Sequence, residues 1–180
     1  AARTAATTAV AVDALAPFQA RRLAVIGSGA VARAHVQYVK GLRDWQSISL
    51  YSPSLQNKSA QERASLTELD PRLQIAASLE AALHDADVVM LCTSSAKAVL
   101  DPQTLSKPAL ITSISTNAPR AHEVPPQSLN DMDVFCDYRQ TTPGSAGEML
   151  IAAEQHGWDA SRLVGDLPEL LSEHVARPGY

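Results

Sequence analysis

The chain has 180 residues, 46% of them hydrophobic, and a formal net charge of −4. That is enough chain for one domain with a real core, plus a small appendage. Its lysines and arginines are dispersed rather than clustered, which argues against a nucleic-acid surface. No apolar run approaches the ~20 residues needed to cross a bilayer. No segment has the basic start, apolar middle and cleavage site of a signal peptide. Neither a membrane nor a nucleic-acid partner is expected, and a cytoplasmic location follows from the reading of both cysteines as buried thiols. The chain opens at Ala1 on residues that already read as the body of a helix, so a processed protein or a piece of a longer one is expected.

Residues 1–15 are Ala-rich without Gly or Pro and predict a helix, which Pro17 ends. From Leu23 short apolar runs alternate with amphipathic stretches. Strands are predicted at 23–26, 47–51, 73–77, 87–92, 109–114 and 134–136, the run 87–92 being the clearest central one. Helices are predicted at 30–42, 55–69, 79–84, 146–156 and 167–175, with Gly157 stopping the helix over 146–156. Strands alternating with helices mean βαβ units and a parallel sheet covered on both faces. Cys92 and Cys136 each lie in an apolar run, so buried thiols are favoured over a disulfide or metal ligands.

The turn after the first strand reads Gly27-Ser28-Gly29-Ala30-Val31-Ala32, the G-x-G-x-x-A form of a dinucleotide-binding fingerprint. Gly27 permits the tight turn. Gly29 lets a diphosphate approach the backbone where a Cβ would block it, and Ala32 lets the next helix pack close to the strand. The helix start then offers N–H groups and partial positive charge to phosphates. The competing reading is a plain glycine turn; the strand before it and the helix after it favour the cofactor.

An acid about 20 residues past such a loop would bind the ribose hydroxyls of NAD. The corresponding stretch, Ser52-Pro53-Ser54-Leu55-Gln56-Asn57-Lys58, holds no carboxylate. Ser52, Ser54 and Lys58 suit a 2′-phosphate instead, so NADPH is favoured over NADH; the bland alternative is a turn followed by a solvated lysine. Cys92-Thr93-Ser94-Ser95 and Ser113 to Pro119 follow the next two central strands, at the edge where ligands bind in open α/β sheets. Ser115 falls in the second of these loops.

These motifs, taken in order, resemble the ornithine cyclodeaminase/mu-crystallin family. The matching pieces are Arg3-Thr4-Ala5-Ala6, 25–32, Ala86-Asp87-Val88-Val89 running into 92–95, 114–123, and Ser145-Ala146-Gly147-Glu148. The resemblance implies a doubly wound parallel sheet of the Rossmann type, with remnants of a second substrate and dimerisation domain at the chain ends. On that basis residues 1–16 are a linking helix, 17–165 the dinucleotide-binding domain and 166–180 the start of a return segment. It implies a homodimer at full length, Arg3 on the substrate carboxylate and Thr4 beside the cofactor. Cyclodeaminases carry an aspartate where this chain has Asn117, and an amide cannot take up a proton as a carboxylate does. The implied activity is therefore NADPH-dependent reduction of cyclic imino acids such as pyrroline-2-carboxylate or piperideine-2-carboxylate, with Asn117 at the reacting centre. Ornithine cyclodeamination with NAD and non-catalytic ligand binding of the mu-crystallin type are the alternatives.

Glu123, which the resemblance also marks, is read as an anchor of its loop rather than a catalyst, and His122 beside it as the other half of an acid/base pair if catalysis were its role. His35 is read as a helix-surface or packing residue. His84, His156 and His174 have no partners at metal-ligand spacing, so no metal is expected. No Gly-x-Ser-x-Gly elbow supports hydrolase chemistry.

Overall fold

The computed structural model describes residues 1–114 and 118–180. These form two compact units, one from Ala1–Thr93, Leu105–Ser113 and Gly179–Tyr180, the other from Ser94–Thr104 and Ile114–Pro178.

The first unit opens with helix α1 (Ala2–Leu15), then alternates β1 (Arg22–Ile26), α2 (Ala30–Val39), β2 (Ser47–Tyr51), α3 (Ala60–Thr67), β3 (Leu73–Ile75), α4 (Leu79–Leu83), β4 (Val88–Leu91) and β5 (Leu110–Thr112). All five strands are parallel in the order β3-β2-β1-β4-β5. The order reverses between β1 and β4, so their C-terminal ends flank the crevice where such sheets bind ligands. Every residue of β4 is buried, as its unbroken apolar run requires of a strand covered on both faces. One core joins Val12 and Ala16 of the α1 end to Leu23, Val25, Val36, Ile48, Leu50 and Met90. Burying each of the larger side chains contributes roughly 1.5–3 kcal/mol.

The opposite edge of this sheet is tied shut. Asp87 accepts from the backbone N–H groups of Arg21 and Arg22 at 2.7 and 2.9 Å, and its other oxygen meets Lys107 Nζ at 2.8 Å. Asp70, almost fully buried, forms a fork with Arg72: Nε donates to Oδ1 at 2.8 Å and Nη2 to Oδ2 at 2.9 Å. Arg72 Nη2 also donates to the Lys40 carbonyl at 2.9 Å, fastening the end of α2 to the start of β3.

In the second unit β6 (Phe135–Cys136) pairs in parallel with β7 (Gly165–Asp166), flanked by α5 (Gly147–Gln155) and α6 (Leu167–Leu171). Its own core gathers Leu129, Val134, Met149, Ala152, Trp158 and Leu163. Neither cysteine is in a disulfide and both are buried; burial pushes the Cys136 thiol up to about 11. Among the described residues no helix is long and apolar enough to cross a membrane.

Several expectations shift, and the strands predicted over 73–77 and 109–114 end two residues early, at Ile75 and Thr112. The helix predicted over 30–42 stops at Val39, where the chain turns so that Trp45 can donate its indole N–H to the Val39 carbonyl at 3.0 Å. The one predicted over 55–69 divides into a 3₁₀ turn at Pro53–Asn57 and α3, because Ser59 and Glu62 form a capping box that starts a new helix. The strand at 134–136 joins a separate small sheet with β7, which two residues of Gly and Asp do not announce. The last helix is shorter, ending at Leu171 before Glu173 takes a φ of 59°.

The Arg72 bonds hold the Asp70 carboxyl down at about 2 from an ordinary 3.8, worth roughly 2 kcal/mol. A depressed carboxyl stabilises the fold above its unfolded value and ceases to do so as pH falls through its folded one. Asp70→Asn is therefore expected to cost roughly 2 kcal/mol at neutral pH. Urea denaturation should show that deficit shrinking between about pH 4 and pH 2.

Candidate functional site

The glycine loop leaves β1 at the sheet's tightest point. Gly27 has a φ of +130°, and a Cβ there would sit 2.3 Å from the Cys92 carbonyl oxygen. Its N–H donates to the Tyr51 carbonyl at 2.8 Å, and the Cys92 N–H donates to the Ile26 carbonyl at 2.8 Å. Gly27 is thus fixed by both neighbouring strands and has room for no side chain.

Gly29 is different. It N-caps α2 with φ −81° and ψ −173°, a backbone any residue adopts. A Cβ on it would meet nothing within 4 Å. Neither strain nor packing explains a glycine there. The start of α2 has no side-chain cap and no acid in its first turn, and Gly29 and Ala30 are exposed. Ala32 is fully buried against the sheet, and Val31 half-buried. Uncovered N–H groups, a helix dipole and space for a ligand at the glycine fit a diphosphate.

Beside this loop, three hydroxyls form a chain. Ser28 Oγ and Ser54 Oγ lie 3.2 Å apart, and Ser54 Oγ and Ser52 Oγ 2.9 Å apart. The end of β2 is thereby tied to the glycine loop by groups that can donate or accept. Lys58 lies at the far end of the 3₁₀ turn that Ser52 caps, its Nζ 3.5 Å from Glu62 Oε1.

The other expected residues fall as follows. Cys92 and Thr93 follow β4 in the first unit, with Cys92 buried in the core so that its backbone, not its thiol, borders the loop. Ser94 and Ser95 belong to the second unit, where Ser95 Oγ donates to the Lys97 carbonyl at 2.6 Å in a local turn. Arg3 and Thr4 are exposed on the first turn of α1. Thr8 meets His35 in mid-α2, and Asp13 and Ala16 meet Arg43 just beyond it. The two helices therefore run in the same direction, which carries the Arg3 end of α1 toward the glycine-loop end of α2. Ser115 and Asn117 lie outside the described residues.

His35 is a packing residue, fully buried. Nδ1 donates to the Val31 carbonyl at 2.8 Å and Nε2 accepts from Thr8 Oγ1 at 2.9 Å. Burial keeps its pKa below the ordinary imidazole value, so the ring is neutral.

In the second unit Glu123 is fully buried and anchors its segment on three sides. Its Oε2 accepts from the Ile114 N–H at 2.8 Å, its carbonyl from the Val99 N–H at 2.8 Å, and its own N–H donates to Glu148 Oε1 at 2.8 Å. Gly147 allows this approach, since a Cβ there would lie 1.9 Å from the Ala121 carbonyl oxygen. The sequence marked Gly147 and Glu148 only through the resemblance. Glu148 as partner of Glu123, and Glu62 as partner of Lys58, are seen only in the fold.

The sequence profile of the ornithine cyclodeaminase/mu-crystallin family matches residues 1–168. The chain belongs to that family. Over 179 residues it is 68% identical to the NAD(P)H-dependent anabolic L-arginine dehydrogenase of Pseudomonas aeruginosa, covering 99% of this chain and 56% of the relative. A Δ1-pyrroline-2-carboxylate reductase of Bacillus cereus is 22% identical, with 97% and 54% covered. The fold superposes on the Thermococcus litoralis Δ1-pyrroline-2-carboxylate reductase, solved with NADH and L-proline, with a TM-score of 0.88 at 18% identity, covering 99% of this chain and 55% of the other. The chain thus spans about half the length of the family members it matches.

The two glycines give opposite expectations. Gly27→Ala should lower the melting temperature sharply, because a forbidden φ costs about 1–3 kcal/mol before the clash is added. Gly29→Ala should melt like the parent yet bind nicotinamide dinucleotides about tenfold or more weakly in a fluorescence titration, the Cβ occupying space meant for phosphate.

Proposed function

We propose that this chain is the dinucleotide-binding part of an NAD(P)H-dependent oxidoreductase that reduces the C=N bond of an α-imino acid to an amino acid. The observation that carries the cofactor reading is Gly29: its backbone is unstrained and its side-chain space is empty, beside an uncapped helix start. A reduced nicotinamide cofactor, when bound, supplies the hydride. The chain's own residues supply position. Ser28, Gly29, Ala30 and Val31 hold the diphosphate, and Ser52, Ser54 and Lys58 receive the adenine ribose and its 2′-phosphate. Cys92 through Ser95 and Ser115, with Thr4, border the rest of the cofactor.

Arg3 is the proposed clamp for the substrate carboxylate. Its planar fork gives two parallel hydrogen bonds and so fixes the substrate's orientation as well as its charge. Asn117 is the proposed polar contact at the reacting carbon and nitrogen. An amide there orients without accepting a proton, which favours reduction over deaminating cyclisation. The proton that completes the amine comes from water or another group.

The 68% identity to an arginine dehydrogenase makes a linear imino acid derived from arginine the first substrate class to test. Cyclic imino acids are the second, supported by the pyrroline-2-carboxylate reductases among the relatives. Assembly of the full-length protein as a homodimer, in the cytoplasm, belongs to the same proposal.

The test follows nicotinamide absorbance with both substrate classes. Oxidation of NADPH by an imino acid, or reduction of NADP by L-arginine, is the expected result. Ammonia released from ornithine without net consumption of reduced cofactor would replace the proposal with a cyclase. Arg3→Leu should raise the substrate KM about tenfold or more, as loss of a charged bidentate bond does, while the Kd for NADPH stays near the parent value.

A further inference from the structure

We infer that Glu62 tunes the preference between phosphorylated and unphosphorylated nicotinamide cofactors, by competing with the 2′-phosphate for the ammonium of Lys58. The inference rests on the cofactor reading above and concerns only the adenine-ribose end of that site.

Within Ser52 to Lys58, Lys58 carries the one positive charge and no residue carries a negative one. The same 3₁₀ turn that Ser52 caps ends on Lys58, so the serine hydroxyls and the ammonium are offered by one short piece of chain. Lys58 is already engaged: its Nζ lies 3.5 Å from Glu62 Oε1, one helical turn on. Glu62 cannot easily swing aside. Its Oε2 accepts from the Ser59 N–H and hydroxyl at 2.9 Å each, and the Glu62 N–H donates to Ser59 Oγ at 3.2 Å. One carboxylate oxygen therefore starts α3 and the other faces the lysine. The Ser59 bonds, then Lys58, hold the Glu62 carboxyl below its ordinary pKa, so the negative charge is present at neutral pH.

A 2′-phosphate brings up to two negative charges to Lys58 and meets Glu62 beside it. A ribose with a free 2′-hydroxyl brings none, and hydrogen bonds from Ser52 or Ser54 serve it equally well with Glu62 charged or neutral. Glu62 thus holds back affinity for the phosphorylated cofactor while leaving the other untouched, and the outcome is a site that accepts both. Lys58 and Glu62 are partly exposed, so solvent and salt screen the effect to a modest factor.

Glu62→Gln is a clean probe, because Gln serves a capping box as Glu does and α3 keeps its start. Equilibrium titration with NADPH and NADH should show NADPH binding tightened about threefold or more, with NADH changed less than about twofold. The gain should shrink at high salt. It should also vanish in the Lys58→Met background, where Glu62→Gln has no cation to release. An unchanged NADPH-to-NADH ratio in Glu62→Gln, an equal shift for both, or a gain that persists without Lys58 would each overturn the inference. A parent protein that binds neither dinucleotide would instead overturn the cofactor reading on which it rests.

Discussion

The contact between Gly27 and the Cys92 carbonyl governs the geometry of the first unit's crevice. Two parallel strands, β1 and β4, must leave the sheet side by side, and the chain after β1 must turn where the neighbouring backbone is nearest. A side chain at Gly27 would overlap the Cys92 oxygen. Because the turn closes there, α2 starts immediately and its first N–H groups face the open edge of the sheet rather than the core. The small Ala32, fully buried, lets that helix lie close to β1. The loop's shape is therefore set by sheet packing at Gly27, whereas the open space at Gly29 has no packing cause.

The two ends of the sheet are treated oppositely. At the N-terminal end Asp87 collects two backbone donors and a lysine. At the C-terminal ends of β1 and β2 the hydroxyls of Ser28, Ser52 and Ser54 are bonded to one another, contacts that hydroxyls can exchange for other partners at little cost. In open parallel sheets it is the C-terminal end of the strands that borders the ligand crevice.

Much of this was legible in the residue order. Apolar runs such as 88–91 and the glycine spacing at 27–32 located the strands, the parallel sheet and the tight turn after β1, because burial on both faces and tight turns leave direct marks on composition. What stayed hidden depends on partners distant in sequence. The break between the 3₁₀ turn and α3 hangs on the reciprocal bonds of Ser59 and Glu62, which a helical pattern over 55–69 conceals. β7 is two residues long and lacks any apolar signature. The burial of His35 could not be read from its helical position, since it depends on Thr8, which is 27 residues away. Glu123 read correctly as an anchor, but its partner Glu148 is fixed only by the close approach at Gly147.

The bond between Thr8 and His35 has a consequence for precision. α1 presents Ala5, Thr8 and Val12 to its neighbours, small and smooth surfaces that would tolerate axial sliding. A slip of one turn would displace the helix by about 5.4 Å and strand a buried imidazole nitrogen without its hydroxyl. Together with the Arg43 bonds to Asp13 and Ala16 at the far end, the pair indexes one helix against the other. A fixed register for α1 fixes the axial position of its first turn, where Arg3 sits, as well.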